Sequence, residues 1–361
     1  MIAFVNIMVT GIIASFLILS TPPIKTSSAT PLIYENTLLF TDFEGESLKQ
    51  RFKELDDYAL NVPSTYSSNM ELLVDYLIKP TYSDIEKARV IFRWITNNVT
   101  YDDRGYNTGK YSDVSAEGVF KYRIAVCEGF SELFKVMGTL AGLEIEKVSG
   151  YSKGYSYTPG SKFSDTNHAW NLIKIDGAWK LFDITWAEGN GVTENGKLKS
   201  IKKYDEFWFN TDPYNFIFSH LPEDPKWQLI ERPISKQSFE KLPYVQSTFF
   251  ELGFNGKVIF DQIANGLFSG FPETYSIPFS LKVISLPHSK KLKAGEILHL
   301  EIESTEILEM AVINNGNWTY FEQLGNVFTL DFTPERGSLS ISAKSNPEKV
   351  SFDRIIDYDV K

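Results

Sequence analysis

The stretch Val126-Cys127-Glu128-Gly129-Phe130-Ser131-Glu132-Leu133-Phe134 holds the only cysteine of the 361-residue chain and sets it where a helix begins. From the cysteine onward Phe130, Leu133, Phe134, Met137, Leu140 and Ala141 recur at helical spacing, and Gly142 supplies a stop. Cys127 therefore falls in the first turn. There the unpaired backbone N–H groups and the positive end of the helix dipole favour the thiolate, the nucleophilic form of the side chain. A lone cysteine is by default a small core hydrophobe, so a chemical role needs partners elsewhere in the chain.

Two partners come from the clearest local signal. His168-Ala169-Trp170-Asn171-Leu172-Ile173-Lys174-Ile175, the dipeptide Asp176-Gly177, and Ala178-Trp179-Lys180-Leu181-Phe182-Asp183-Ile184-Thr185-Trp186 read as two strands joined by a two-residue primed turn. That turn pairs Ile175 with Ala178, which sets Leu172 opposite Leu181, Trp170 opposite Asp183 and His168 opposite Thr185. His168 and Asp183 then lie on one face as diagonal neighbours, about 7 Å apart at the backbone. A slip of one residue would send them to opposite faces. The bland alternative is a core histidine and an aspartate that caps a strand end.

A cysteine attacks a carbonyl only as thiolate, and a histidine can take its proton if a third group holds the imidazole in the right tautomer. Cys127, His168 and Asp183 supply those roles in that order. The tetrahedral intermediate needs donors: the Cys127 backbone N–H is one, Tyr101 is a second candidate, and Trp170 and Trp186 are candidates to line the pocket. The four histidines, at 168, 220, 288 and 299, show no paired spacing, so no metal site is expected. No glycine-rich phosphate loop follows a strand, and no cofactor is expected.

Composition bounds the class. With 43% hydrophobic and 23% charged residues the chain is a globular protein, and 36 basic against 46 acidic residues, a net charge of −10, argue against nucleic acid or an anionic lipid surface as the main partner. Ile2 to Leu19 is largely apolar and leads to Ser27-Ser28-Ala29, so residues 1–29 read as a signal peptide or an N-terminal anchor. Secretion or attachment to the cell envelope is the expectation, and a single cysteine allows no internal disulfide.

Along the chain, helices are expected over Ser47–Leu60 and Asn69–Ile78. A third begins at Ser83, where Glu86 three residues on completes a capping box, and it buries Ala88, Ile91, Phe92 and Ile95. Val99 to Ser115 has no periodicity and reads as a loop, Glu146 to Tyr151 as a strand, and Ser152 to Asp165 as a mobile loop. Ile201 to Pro243 is irregular and aromatic, of the kind that wraps a core. Beyond it Leu298, Leu300 and Ile302 alternate with polar residues, Asn315-Gly316 marks a turn, and Phe328, Leu330 and Phe332 alternate again. This is the pattern of a β-sandwich over residues 244–361.

The site residues carry a family resemblance. Val126-Cys127-Glu128-Gly129-Phe130-Ser131, Asn167-His168-Ala169-Trp170-Asn171 and Asp176-Gly177-Ala178-Trp179-Lys180-Leu181-Phe182-Asp183-Ile184-Thr185-Trp186 resemble the core of the transglutaminase-like superfamily of papain-like fold. Arg93-Trp94-Ile95 and Val99-Thr100-Tyr101-Asp102 fit its approach to the catalytic helix. Phe207-Trp208-Phe209-Asn210-Thr211-Asp212-Pro213, Phe216-Ile217, Ser219-His220-Leu221-Pro222 and Trp227-Gln228-Leu229 resemble its kyphoscoliosis-peptidase branch. The likeness covers residues 44–243. It implies an α+β papain-like core of N-terminal helices, catalytic helix and antiparallel sheet, followed here by the expected immunoglobulin-like sandwich. It also implies Cys127 as nucleophile, His168 as base and Asp183 as orienter. Val126 and Glu128 stand where the crosslinking transglutaminases carry Gln and Trp, which turns the expectation towards an exported cysteine peptidase or amidase acting on protein or peptide substrates. The alternatives are a protein-glutamine transglutaminase and an inactive scaffold whose sandwich binds an extracellular or cell-envelope partner.

Overall fold

The computed structural model describes residues 35–361, with side chains from residue 47 onward. The segment 1–29, expected as a leader or anchor, lies outside them; among the described residues no helix is long and apolar enough to cross a membrane. Gln50–Lys361 form one compact unit.

Helices come first: α1 (Glu35–Leu60), which begins well before the expected Ser47, then α2 (Met70–Leu77) and α3 (Asp84–Asn98), which stand where apolar periodicity places them. The α3 stripe of Ala88, Ile91, Phe92 and Ile95 is fully buried. The expected capping box does not form. Ser83 makes no side-chain cap, and the Glu86 carboxylate instead accepts from Arg51 Nε at 2.9 Å and from the Tyr82 N–H at 2.7 Å. A guanidinium is a stronger donor than the single amide of a helix start.

The segment 99–115, expected as a loop, contains β1 (Thr100–Tyr101) and α4 (Asp103–Thr108). Asp102 orders it through local polar contacts rather than apolar ones, accepting from the Gly105 N–H at 2.8 Å and the Ser112 N–H at 2.9 Å. α5 (Ala116–Tyr122) follows, then β2 (Ile124–Ala125) parallel to β1, then α6 (Cys127–Leu140). Phe130, Leu133, Phe134 and Met137 are fully buried, whereas Leu140, expected on the same face, is exposed at the helix end.

Next come β3 (Ile145–Ser152), β4 (His168–Ile175), β5 (Ala178–Phe182), α7 (Ile184–Glu188), β6 (Gly189–Glu194), β7 (Lys197–Lys202), β8 (Phe209–Thr211), α8 (Pro213–Phe216) and β9 (His220–Pro222). Five of these strands form an antiparallel sheet in the order β8-β5-β4-β3-β9. The hairpin register is the one the Asp-Gly turn predicts, with Ile175 paired to Ala178 and Leu172 to Leu181. Both turn residues have positive φ, 51° at Asp176 and 78° at Gly177, as a primed turn requires.

The second strand is shorter than expected. It stops at Phe182, so the pairs Trp170–Asp183 and His168–Thr185 do not form. The cause is Asp183 itself, whose carboxylate accepts the Thr185 and Trp186 N–H groups, each at 3.0 Å, and so starts α7. The stretch 201–243, expected to be irregular, supplies both outer strands of the sheet, β8 and β9.

Rings of Phe92, Phe134, Phe182 and Phe209 meet between helices and sheet, with centroids 5.1 to 6.3 Å apart. Each contributes roughly 1.5–3 kcal/mol by burial. Because Phe134 belongs to α6 and Phe182 precedes Asp183, this cluster sets the cysteine helix against the end of β5.

After α9 (Lys236–Lys241), α10 (Ser247–Glu251) and α11 (Gly256–Ala264) the chain is all strand: β10 (Glu273–Thr274), β11 (Lys282–Ser285), β12 (Lys291–Leu292), β13 (Leu298–Glu303), β14 (Glu309–Asn314), β15 (Asn317–Tyr320), β16 (Glu322–Leu324), β17 (Val327–Phe332), β18 (Gly337–Lys344) and β19 (Asp353–Val360). They form two sheets, β10-β19-β18-β14-β15 with β12 beside β19, and β11-β13-β17-β16. Leu300, Ile302 and Phe328 of one sheet share an apolar core with Val312, Ile341 and Tyr358 of the other. The fold is thus α+β, with a papain-like core and a largely antiparallel C-terminal region.

Gly150 of β3 is paired to His168 on one side and Pro222 on the other. A Cβ there would press on the Leu221 carbonyl and come within 2.5 Å of Trp170 Cη2, and backbone cannot yield as a flexible side chain does. Gly150→Ala is expected to lower the unfolding free energy by about 1–3 kcal/mol, read as a reduced urea midpoint at unchanged slope.

Candidate active site

Cys127 is the first residue of α6 and is half-buried. Val126 precedes it at the N-cap position, where its side chain offers no acceptor, so no side-chain cap competes for the leading N–H groups of the helix. Gly129 lets this first turn sit close to its neighbours: a Cβ there would lie 2.8 Å from Val119 Cγ2 and 3.0 Å from Ala125 Cβ.

One turn beyond the cysteine, α6 is stitched to β4. Ser131 Oγ donates to the Ala169 carbonyl at 2.9 Å, and Asn171 Nδ2 donates to the Ser131 carbonyl at 3.0 Å. His168, the first residue of β4, is thereby held beside the helix start.

His168 is buried, and its Nε2 lies 2.7 Å from Asp183 Oδ2. The same oxygen lies 2.9 Å from Nε2 of His220, whose Nδ1 is 2.8 Å from Ser219 Oγ. With Oδ1 accepting the two α7 amides, each carboxylate oxygen of the fully buried Asp183 has two donors.

The electrostatics divide the two histidines. Burial by itself would lower His168, but the charge and hydrogen bond of Asp183, assisted by Cys127, outweigh it and hold the imidazole at about 10. For His220 burial wins, pushing it down to about 4 against the pull of Asp183. Burial would raise Asp183, yet the charge and hydrogen bond of His168, with His220 adding to them, keep it well below the usual carboxylate range. One negative charge is matched by one protonated imidazole.

A cleft of about 1250 Å³ opens on Cys127 and His168. Tyr101 and Trp186 line it, as do Ser152 to Tyr157, Gly189 to Gly191 and Tyr244 to Thr248. Burial foremost, and then the Cys127 charge, raises Tyr101, so its phenol keeps its proton and can donate. The loop after β3 is tied to the β6–β7 hairpin by Tyr155 Oη and Thr193 Oγ1 at 2.7 Å, and to α9 by the Phe163 N–H and Glu240 Oε1 at 3.0 Å.

Of the residues singled out from sequence, Cys127, His168 and Asp183 come together, and Tyr101 and Trp186 face the cleft. Trp170 does not: it is fully buried behind the histidines, its ring 5.2 Å from His220 and 5.7 Å from Phe216. His220 is the residue that sequence reasoning missed. Nothing in its spacing links it to His168; it arrives because β9 pairs with β3, placing it opposite Ser152. The histidines are therefore not all scattered. His168, Asp183 and His220 offer ligand atoms within 4.8 Å of one another, with Nε2 of each histidine on the same carboxylate oxygen.

Residues 72–184, a span that contains all three members of the Cys-His-Asp set, match the model of the transglutaminase-like superfamily. The chain carries a transglutaminase-like domain. Its similarity to curated proteins is to the kyphoscoliosis-peptidase branch. It is 35% identical to kyphoscoliosis peptidase of Homo sapiens over 205 residues, covering 56% of this chain and 30% of that protein. It is 34% identical to hillarin of Drosophila melanogaster over 219 residues, covering 56% and 26% respectively. It is 29% identical to Lim and transglutaminase domain protein ltd-1 of Caenorhabditis elegans over 243 residues, covering 64% and 31%. The chain thus spans less than a third of the length of these relatives.

The raised His168 of this transglutaminase-like site has a consequence for stability. Its folded value, about 10, lies above the ordinary 6.5, so its contribution is complete below about pH 6.5 and is lost as pH rises through about 10. The unfolding free energy of the wild type should fall between pH 7 and pH 10 more steeply than that of His168→Gln. Equal slopes would contradict the assignment.

Proposed function

We propose that the chain is an exported cysteine peptidase or amidase that cleaves amide bonds of protein or peptide substrates. The observation that carries this reading is the placing of Cys127 at an open helix start, beside a histidine oriented by a buried carboxylate, in one cleft. The cleft volume of about 1250 Å³ exceeds the range usual for small-molecule pockets, roughly 300–1,000 Å³. That suits a segment of peptide chain. Export is supported by the apolar stretch Ile2 to Leu19 and the small residues after it.

Since His168 Nε2 is engaged by Asp183, Nδ1 is the nitrogen left to serve the cysteine. The Cys127 sulfur adds to the scissile carbonyl carbon while its proton rests on His168. The Cys127 backbone N–H and the Tyr101 phenol are the donors at hand for the oxyanion. Collapse expels the amine, which takes the proton from His168 and leaves a thioester on Cys127. Water, deprotonated by His168, then releases the acid and restores the thiol.

Iodoacetamide should alkylate Cys127 near neutral pH faster than it alkylates a free thiol, and His168→Ala should slow the reaction; equal rates in the two proteins would sink the proposal. Asp183→Asn should reduce peptide hydrolysis by about 10³–10⁴-fold, since an amide no longer stabilises the imidazolium. Incorporation of a labelled primary amine into a glutamine-bearing protein, at the expense of hydrolysis, would assign transamidation to the same residues.

A further inference from the structure

His220 lies beyond the matched span 72–184, yet it touches the same carboxylate oxygen as His168. We propose that His220 is a positioning residue, a neutral imidazole whose Nε2–H holds the Asp183 carboxylate in the orientation that serves His168. This rests on the reading of Cys127, His168 and Asp183 as a working site.

The argument begins with charge. Asp183 is fully buried, and so is His220. A single carboxylate can neutralise one imidazolium, and His168, the histidine facing Cys127, is the one that gains from being charged. A second positive charge at His220 would stand uncompensated among Phe216, Trp186, Trp170 and Trp208, whose rings lie 4.1, 4.3, 5.2 and 5.3 Å from its own. His220 is accordingly neutral, with one proton to place.

Neighbouring atoms decide where that proton sits. The ionised Asp183 oxygen, 2.9 Å from Nε2, can only accept, so Nε2 carries the proton. Nδ1 is then an acceptor, and the Ser219 hydroxyl gives its one proton to it at 2.8 Å rather than to the Phe216 carbonyl at 3.3 Å. The chain of donors runs from Ser219 to His220 to Asp183 and fixes the ring plane, while stacking on Phe216 fixes its height.

Without His220, Oδ2 of the buried Asp183 carboxylate would keep His168 as its one donor, whereas Oδ1 keeps two amides. With His220 in place, Oδ2 is held towards both histidines, and His168 keeps Nε2 on Asp183 and Nδ1 towards Cys127. The segment after the matched domain thus completes the site by delivering one N–H through β9.

The test compares the full chain as wild type, His220→Gln and His220→Phe. Glutamine keeps a neutral N–H donor, while phenylalanine keeps a ring and loses the donor. His220→Phe should slow iodoacetamide alkylation of Cys127 about 10-fold or more, by analogy with the loss when the outer hydrogen-bond partner of a metal-bound histidine is removed, and should shift the titration of His168 followed by nitrogen NMR. His220→Gln should restore both towards wild type. In the wild type, His220 should show a proton on Nε2 alone at every pH above about 5.

Wild-type alkylation and titration in His220→Phe would overturn the assignment, as would His220→Gln as slow as His220→Phe. A doubly protonated His220 at neutral pH in the wild type would also overturn it. That last measurement needs no variant, so it decides the matter even if His220→Phe does not fold. None of these readouts uses a substrate, so a failure to find peptidase activity would leave their outcome distinguishable.

Discussion

A fully buried carboxylate has to be compensated, and in this chain the need to compensate Asp183 organises the site. Its two oxygens accept from two backbone amides of α7 and from two imidazoles, one from β4 and one from β9. The four donors come from three parts of the fold. Taking a charged group out of water is tolerable only when its lone pairs are filled and its charge is matched. The arrangement achieves both with one protonated histidine and one neutral one, so the same residue that orients His168 also ends β5 and starts α7.

Packing supplies the distances that this electrostatic arrangement requires. The phenylalanine cluster of α3, α6, β5 and β8 sets Cys127's helix against the strand that ends in Asp183. Ser131 and Asn171 tie the same helix to the start of β4. Apolar burial holds the elements together without specifying their register to a fraction of an ångström; the two side-chain hydrogen bonds add that directionality. Small residues complete the fit, with Gly129 and Gly150 at positions where a methyl group would collide with backbone or core.

Several features were legible before any coordinates. The Asp176-Gly177 turn specifies the pairing of β4 with β5 by local backbone geometry, and the helical stripe from Phe130 to Met137 marks the cysteine helix. Others were not. Glu86 leaves its capping position for Arg51, thirty-five residues away. Asp102 builds structure where no apolar period exists. Glu86 chooses a partner in space over one in sequence, and Asp102 folds its segment through polar contacts that leave no apolar period; a reading of hydrophobic spacing sees neither.

By itself the sequence determined the elements and local pairings that carry the site: a helix opening at Cys127, a hairpin registered by Asp176-Gly177 that starts at His168, and a strand-rich C-terminal region. These follow from periodicity and turn chemistry, which act over a few residues. The tertiary structure decided where the second strand stops, that Trp170 sits behind the histidines, and that His220 reaches Asp183 from thirty-seven residues further along. Those outcomes depend on sheet order, with β9 laid beside β3 at the far edge from β8. Pairing between strands distant in sequence is chosen by burial and hydrogen bonding summed over the whole sheet, for which no local stretch carries a signal.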